Sequence, residues 1–194
     1  MTHTEFYKDE YARLERTKAA LEAIAEEYKK MGGADDLQPV VYWCSRIKSP
    51  ESMLEKLTRY GLPQTLGAAL EGIYDTVGLR IVCSFASDVM HIVESLEAEP
   101  ALELIEKKDY LTYPKPNGYR SIHLRVRLRE TGCLAEIQVR TIAMDCWATL
   151  EHQIKYKKNV ADDALIKAEL KRCADEIAST DLSMQTIREI LKDI

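Results

Sequence analysis

The spacing of apolar residues predicts helices at both ends of the chain and shorter helices between strands. From residue 5 to 31, apolar side chains recur every three or four positions among Glu and Lys, as in an amphipathic helix. Residues 49–61 open with Ser-Pro and close with Gly, and residues 88–96 open with Asp, so both predict short helices. Helical spacing returns in residues 141–157 and, as one or two helices, in residues 163–193. The helix over 141–157 is expected to direct four apolar side chains to the core: Met144, Trp147, Leu150 and Ile154.

Patterns typical of strands occupy the middle of the chain. Residues 40–48 and 78–85 are short, largely apolar runs, whereas residues 120–128 and 134–141 alternate between apolar and polar positions. The "ETGC" between the two alternating segments is typical of a hairpin connection. Strands enclosed by terminal helices predict a mixed α/β fold with a small central sheet.

The hairpin predicted over residues 120–141 has one apolar and one polar face. The polar face of its first strand carries His123, Arg125, Arg127 and Arg129, and that of its second strand carries Glu136, Gln138 and Arg140. A two-residue turn at Thr131-Gly132 places Arg127 opposite Glu136 and Arg125 opposite Gln138. Even shifts of this register keep the two polar faces together. A solvated outer face explains the same pattern in one strand taken alone.

Composition limits the function classes. A formal net charge of −5 over 194 residues argues against a protein that coats nucleic acid or membrane by bulk attraction, but it permits a local basic pocket. No run of eighteen apolar residues and no apolar leader occurs, so we expect neither membrane insertion nor secretion. Five widely spaced cysteines without a C-x-x-C pair predict free thiols in a reducing cytoplasm. The length favours one domain over residues 1–194, with a core at about 40–158.

Positive charge concentrates around one short loop. Seven Lys or Arg and a single acid, Asp109, lie between Lys107 and Arg129. The segment "PKPNGYR" supplies an ammonium at Lys115, turn amides near Asn117-Gly118 and an aromatic ring at Tyr119. Such groups can neutralise phosphate and stack a base, although Asn-Gly by itself indicates only a turn.

A second and a third cluster also suit a phosphate-bearing ligand. In "RIKSPESMLEK", Arg46 and Lys48 share one side of an extended segment, and Ser52 and Lys56 share one helix face, although surface charge explains these residues equally well. Asp75 and Glu136 are the acids embedded in the basic segments, with Arg80 near the former. Two carboxylates among many cations indicate either a Mg²⁺ site that handles phosphates or buried ion pairs with arginine. The sequence contains no P-loop, dinucleotide fingerprint, nucleophile elbow or H-E-x-x-H motif.

Four segments, taken in order, resemble the synthetase domain of the RelA/SpoT alarmone family: "RIKSPESMLEKL", "DTVGLRIVCSF", "DYLTYPKPNGYRSIHLRV" and "AEIQVRTIAMDCWATLEHQIKYK". The flanking helices resemble those of the small single-domain members of this family. The resemblance implies a nucleotidyltransferase-like mixed sheet of about five strands flanked by helices. It implies transfer of pyrophosphate from ATP to the 3′-hydroxyl of GDP or GTP in the stringent response, giving (p)ppGpp and AMP. It also implies synthesis without hydrolysis, in a homotetramer.

The same resemblance implies a role for each matching residue. ATP-binding residues are Arg46 and Arg80, which enclose adenine, together with Lys48, Ser52 and Lys56 at the phosphates. The carboxylates of Asp75 and Glu136 are expected to bind Mg²⁺, and Glu136 is also a candidate base for the attacking hydroxyl. Guanine-nucleotide residues are Lys115, Asn117, Tyr119, His123 and Gln138, with Asp145 placed to accept hydrogen bonds from guanine N1 and N2.

Two alternatives stay open at the level of sequence. Toxin-like relatives of the family pyrophosphorylate adenine nucleotides or tRNA, and a catalytically silent nucleotide- or RNA-binding module would retain the same basic pocket. The sequence also leaves open the choice among GMP, GDP and GTP, since "EKKD" at residues 106–109 follows neither charge pattern of the long enzymes. Regulation by an alarmone or by single-stranded RNA is likewise open.

Overall fold

The computed structural model describes residues 1–32, 37–156 and 164–192. Within these residues, five strands form one mixed sheet in the order β1-β2-β5-β4-β3. The central pair, β2 and β5, is parallel, and the other neighbouring pairs are antiparallel. The strands are β1 (Val40–Ile47), β2 (Val77–Cys83), β3 (Leu102–Asp109), β4 (Ile122–Leu128) and β5 (Leu134–Thr141). The mixed α/β class and the five strands confirm the predicted fold.

Helices precede, connect and follow the strands. They are α1 (His3–Tyr7), α2 (Glu10–Lys30), α3 (Pro50–Arg59), α4 (Leu66–Gly72), α5 (Ala86–Glu97), α6 (Ile142–Tyr156) and α7 (Ala164–Lys192), with a 3₁₀ turn at Tyr74–Thr76. The helix predicted from residue 5 is broken at Lys8, whose φ of 50° is incompatible with a continuous helix. The C-terminal segment, predicted as one or two helices, forms one helix over the residues that are described. The predicted limits of this segment, 163 and 193, lie outside the described residues. The same holds for residue 157 of the preceding predicted helix and residue 158 of the predicted core.

Short local signals set the ends of α3, the helix that carries Lys56. The Ser49 hydroxyl accepts a hydrogen bond from the Ser52 amide at 3.3 Å, and Pro50 occupies the first helical position. At the other end Gly61 adopts a φ of 66°, the left-handed conformation that terminates many helices. The helix therefore begins and ends where the sequence predicts it.

The core lies on the apolar face of the sheet. Ile122, Leu124, Val126 and Leu128 of β4 are each at most 1% exposed, as their alternation predicts. Leu14 and Leu21 of α2 and Val89 of α5 belong to the same buried cluster. Fully burying each such side chain stabilises the fold by about 1.5–3 kcal/mol. This packing leaves the opposite face of the sheet to the polar residues.

The β4–β5 register differs by two residues from the predicted one. Arg125 lies opposite Glu136, and His123 lies opposite Gln138. The turn is longer than two residues because Gly132 adopts a φ of 69°, its amide bonds the Leu128 carbonyl, and Leu128 pairs with Cys133. The shift is even, so the polar residues still share a face.

The structure differs from the sequence-based predictions at one residue of α6 and in one additional strand. Leu150, predicted to face the core, is 51% exposed, because α6 turns its Met144 and Trp147 side inward while Trp147 Nε1 donates to the Leu170 carbonyl of α7 at 2.9 Å. The strand β3 was not predicted, since the edge segment "LELIEKKD" lacks clear alternation and leaves Leu104 and Ile105 exposed. In the part of the chain that the structure describes, no helix has the length and apolar character needed to cross a membrane.

Candidate active site

The polar face of the sheet gathers residues from four strands. In the parallel β2–β5 pair, Arg80 lies opposite Gln138, and Gly78 lies opposite Glu136. Next to them, β1 contributes Arg46, which lies opposite Gly78, and β4 contributes His123 and Arg125. Side chains two residues apart on a strand share a face, so register alone brings residues distant in sequence together.

Asp75 lies between two lysines in the 3₁₀ turn before β2. Its carboxylate is 2.8 Å from Lys48 Nζ and 2.9 Å from Lys56 Nζ, and the three side chains are only 10–16% exposed. Burial raises the pKa of Asp75, but Lys48 and Lys56 outweigh this effect and the net shift is downward. The Lys48 backbone is fixed by its amide to Thr76 O at 2.9 Å and by the Tyr7 hydroxyl, which donates to the Lys48 carbonyl at 2.8 Å.

Glu136 is the second buried carboxylate of this face. His123 Nδ1 lies 3.5 Å from its Oε1, Gln138 Nε2 donates to the same oxygen at 3.1 Å, and Arg125 Nε lies 3.8 Å from Oε2. Burial raises the pKa of Glu136, but His123, Gln138 and Lys56 together lower it to about 2. Glu136 is therefore a carboxylate at neutral pH. Burial also lowers the pKa of His123, so that ring is neutral at pH 7.

Four hydrogen bonds and the 3.5 Å contact between His123 Nδ1 and Glu136 connect five side chains in a closed ring. The Tyr119 hydroxyl lies 2.8 Å from His123 Nε2 and accepts from Arg140 Nη2 at 3.2 Å. Arg140 also donates to Gln138, which donates to Glu136. Because a carboxylate only accepts, the single proton of the neutral His123 ring is assigned to Nδ1, towards Glu136, and Nε2 then accepts from the Tyr119 hydroxyl. Each side chain thereby fixes the orientation of the next.

Arg140 is the member of this ring to which the sequence assigned no role. It is only 2% exposed, and its guanidinium also lies 3.4 Å from Asp145. Burial lowers its pKa, and the charges of Tyr119 and Asp145 counteract that shift, while Arg80 adds to it. Its alternation with Glu136 and Gln138 already placed it on the polar face. Its burial depends on α6, which supplies Asp145, and this could not be inferred from strand periodicity.

The loop of residues 115–119, termed the acceptor loop below, borders the same ring. Lys115 Nζ lies 4.9 Å from the centroid of the Tyr119 ring and 4.6 Å from that of Tyr110. Asn117 Oδ1 accepts from the Tyr119 amide, and its Nδ2 donates to Glu151 of α6 at 3.0 Å. Asn117 thus holds the loop against α6. Tyr110 and Glu151 were not predicted as neighbours of this loop.

Asp145 lies beside Arg140, near the N-terminal end of α6. It accepts a hydrogen bond from the Tyr42 hydroxyl and lies 3.2 Å from Arg80 Nη1. Burial and then the bond to Asp145 raise the pKa of Tyr42 to about 12, so the phenol keeps its proton. Asp145 therefore neutralises two arginines, Arg80 and Arg140, rather than facing the acceptor loop alone.

Two adjoining cavities open on this face. One, of about 200 Å³, is bordered by both carboxylates, Asp75 and Glu136. The other, of about 350 Å³, is bordered by Tyr119 and Arg140. Three residues border both cavities: Arg46, Arg80 and Gln138. A larger cavity of about 490 Å³ lies between α2, α4 and the β4–β5 turn, but it contains none of the predicted site residues. Paired cavities joined by arginines suit two nucleotides bound side by side.

The residues at the first cavity fit a divalent cation. Asp75 and Glu136 are both ionised at neutral pH, and hard carboxylate oxygens are the ligands that Mg²⁺ prefers. Asp75 Oδ1 is buried and accepts no hydrogen bond of acceptable geometry, although Lys56 Nζ lies close to it. Ser52 is the outlying member of the set, exposed on α3 and accepting from the Ser49 hydroxyl at 3.1 Å.

Comparison with known proteins gives consistent matches. A family model described as "Region found in RelA / SpoT proteins" matches residues 45–161. The GTP pyrophosphokinase YwaC of Bacillus subtilis (strain 168) is 41% identical over 172 residues, covering 86% of this chain and 80% of that protein.

Solved structures from the same organism superpose closely. The crystal structure of small alarmone synthetase 2 from Bacillus subtilis has a TM-score of 0.81 and 37% identity, covering 94% of this chain and 98% of that one. The structure of small alarmone synthetase 1 from Bacillus subtilis, bound to its product pppGpp, has a TM-score of 0.79 and 34% identity, with 92% of each chain covered.

Proposed function

The chain belongs to the RelA/SpoT family, and from that premise we propose that it is a GTP pyrophosphokinase. It transfers the β- and γ-phosphates of ATP to the 3′-hydroxyl of GDP or GTP, producing (p)ppGpp and AMP for the stringent response. The observation that carries this function is the pair of cavities joined by Arg46, Arg80 and Gln138, with two ionised carboxylates in one and Tyr119 in the other. YwaC, which carries the name of this activity, is similar over most of both chains.

The first cavity is assigned to ATP. Planar guanidinium groups stack on aromatic bases, and Arg46 and Arg80 from neighbouring strands suit an adenine between them. Lys48 and Lys56 supply positive charge for the phosphates, and Ser52 supplies a hydroxyl one turn before Lys56 on α3. ATP phosphates entering this cavity would compete with Asp75 for both ammonium groups.

The second cavity is assigned to the guanine nucleotide. Tyr119 presents an aromatic ring for the base, with Lys115 beside it, and Asn117 holds the loop that carries both residues. His123 and Gln138 lie between this ring and Glu136, where the ribose 3′-hydroxyl must approach. The Asp145 carboxylate matches guanine N1 and N2, which adenine does not, but the base would have to compete with Tyr42, Arg80 and Arg140 for its oxygens.

Asp75 and Glu136 are proposed to hold Mg²⁺. The ion, when bound, neutralises developing phosphate charge and orients the transferred group. The low pKa of both carboxylates supports this assignment, since a metal ligand must be ionised. Lys48 and Lys56 then become available to the phosphates of ATP.

The reaction follows from this placement. The 3′-oxygen attacks the β-phosphorus, a new P–O bond forms, the bond from that phosphorus to the α,β-bridging oxygen breaks, and AMP leaves. Glu136 accepts the hydroxyl proton in the proposed scheme, but a carboxylate with a pKa near 2 is a weak base. Positioning and charge neutralisation by Lys48 and Lys56 must therefore provide most of the rate acceleration.

The proposed function is tested by incubating the purified chain with labelled ATP, Mg²⁺ and one acceptor at a time. The acceptors are GMP, GDP, GTP, adenine nucleotides and tRNA, with products separated by chromatography. We expect AMP and a pyrophosphorylated guanosine nucleotide, and loss of both with excess EDTA. Asp75→Ala and Glu136→Ala should abolish AMP formation, whereas Glu55→Ala, on an exposed face of α3, should not. Transfer only to adenine nucleotides or tRNA identifies the toxin-like reaction, and no transfer identifies a binding module.

We propose assembly into a homotetramer in the cytoplasm, where both nucleotides are available and the five free cysteines remain reduced. The support for assembly is a set of exposed apolar side chains near the end of α7: Leu182, Ile187, Ile190 and Leu191. Light scattering, with and without pppGpp or single-stranded RNA, measures the oligomeric state and its response to these candidate regulators. A monomer at micromolar concentration contradicts the assembly.

A further inference from the structure

The acceptor loop rests directly on α7. Gly118 is buried and adopts a φ of 88°, and a Cβ placed on it would lie 2.4 Å from the Cβ of Ala174 and 3.2 Å from Lys171 Cδ. Real Cβ atoms essentially never come within 3.0 Å of atoms outside their own and the adjacent residues. The loop backbone and the helix are therefore as close as glycine facing alanine permits. A larger side chain on either partner must move one of them.

Two backbone hydrogen bonds tie the acceptor loop into a closed turn. The Gly118 amide bonds the Lys115 carbonyl at 2.8 Å, and the Lys115 amide bonds the Tyr119 carbonyl at 3.1 Å, so the loop closes on itself. Asn117 connects the loop to Glu151 on α6, and Gly118 packs against Ala174 on α7. At its end, the Tyr119 hydroxyl contacts His123 and Arg140. A displacement at Gly118 is thus transmitted to Lys115 and Tyr119, the residues assigned to the guanine nucleotide.

The helix beneath the loop is firmly attached to the rest of the chain. Trp147 Nε1 donates to the Leu170 carbonyl before Ala174, and the Thr141 hydroxyl donates to Asp181 after it at 2.7 Å. Nearer the end of α7, Arg188 is buried against Asp88 of α5 at 2.6 Å. Ala174 itself is 4% exposed. Because α7 is held on both sides of Ala174, the loop must yield to a larger side chain there.

We propose that Ala174 is a positioning residue for the acceptor nucleotide, an inference that rests on the proposed function. Its small side chain sets how far the acceptor loop lies from α7 and therefore where Tyr119 and Lys115 meet the guanine nucleotide. Residue 174 lies beyond residues 45–161, the range matched by the family model, so the support for this role is the contact itself. The residues assigned to ATP lie on β1, β2 and α3, with Lys48 between β1 and α3, and none of them belongs to the acceptor loop.

The test compares Ala174→Val with Ala168→Val, which makes the same change on an exposed position of the same helix. For Ala174→Val we expect kcat/KM for the guanine nucleotide to fall between about 10- and 100-fold, since small misplacements of substrate have effects of that size. KM for ATP should stay within about twofold of the wild-type value, because the residues assigned to ATP lie outside the acceptor loop. Ala168→Val should change neither constant. Equal changes in both KM values, or a lower melting temperature with an unchanged acceptor KM, overturn the proposal.

A second pair of variants keeps the test informative if Ala174→Val folds poorly. Gly118→Ala introduces both the clash and the strain of a positive φ, whereas adding Ala174→Gly removes the clash and leaves the strain. The double variant should therefore regain part of the GDP affinity lost by Gly118→Ala, as measured by calorimetry. No recovery refutes the contact as the cause.

Binding and turnover separate the two proposals. GDP affinity that is equal in the wild type and Ala174→Val refutes the positioning role, even if transfer occurs. GDP binding that weakens in Ala174→Val, in a wild-type chain that transfers nothing to guanine nucleotides, supports the positioning role and refutes the proposed reaction. A wild-type chain that binds no guanine nucleotide refutes both.

Discussion

The ion cluster around Asp75 makes a prediction about stability as well as activity. Replacing Asp75 by Asn leaves Lys48 and Lys56 close together without their shared carboxylate, in a region where the three side chains are 10–16% exposed. Breaking a fully buried ion pair costs about 3–5 kcal/mol, and an exposed pair contributes at most about 1 kcal/mol. For this intermediate burial we expect a loss of about 2–3 kcal/mol. In a chain of this size that loss corresponds to a fall in Tm of about 4–12 °C.

Binding of the ATP phosphates should restore part of the stability lost in Asp75→Asn. ATP without Mg²⁺ brings anionic oxygens to the two lysines, so the rise in Tm on adding saturating ATP should be larger for Asp75→Asn than for the wild type. Differential scanning fluorimetry with and without ATP measures both quantities, and Glu55→Gln, which removes an exposed acid from α3, is the matched control. A double variant that also carries Lys56→Met should be less destabilised than the sum of the two single variants. An unchanged Tm for Asp75→Asn without nucleotide refutes the coupling of these charges.

Two further predictions concern other buried polar groups. Arg140→Lys keeps the charge but cannot hold Tyr119 and Gln138 together, so kcat/KM for the guanine nucleotide should fall about 10- to 100-fold. Tyr119→Phe should lower kcat/KM less in this background than in the wild type. Additive effects of the two substitutions in steady-state kinetics would contradict the role of the ring. Burial raises the pKa of Asp181, so its charge destabilises the folded chain above that pKa, and the penalty disappears as pH falls below the ordinary value near 4. Asp181→Asn, which can still accept from Thr141, should therefore raise Tm at pH 7.5 with a gain that shrinks towards pH 4, and a gain that grows on acidification would contradict this sign.

Strand alternation predicted much of the site because it is a local property. The pattern around His123, Arg125, Glu136 and Gln138 placed these side chains on one face whichever even register was chosen. The actual register depended on the left-handed conformation of Gly132, which lengthens the turn and brings Arg125 rather than Arg127 opposite Glu136. An error of two residues in register therefore leaves the predicted face of each side chain correct, although it changes which residues lie opposite each other.

Contacts between distant elements could not be predicted in the same way. The position of Lys48 depends on the Tyr7 hydroxyl of α1, and the burial of Arg140 depends on Asp145 of α6. The approach of Gly118 to Ala174 has no signal in either segment, because a glycine in a turn and an alanine in a helix are each ordinary in isolation. Such contacts are consequences of packing, and they determine how the predicted residues are used.

The proposed reaction requires that one chain bind two nucleotides and transfer pyrophosphate between them. Incubation with ATP labelled at the β-phosphorus, Mg²⁺ and unlabelled GDP tests it most directly, with the guanosine product cleaved to locate the label. We expect label in a 3′-diphosphate on guanosine and an equal amount of unlabelled AMP, both absent with Asp75→Ala. Label that remains in ATP, or that appears in ADP without any guanosine product, contradicts it.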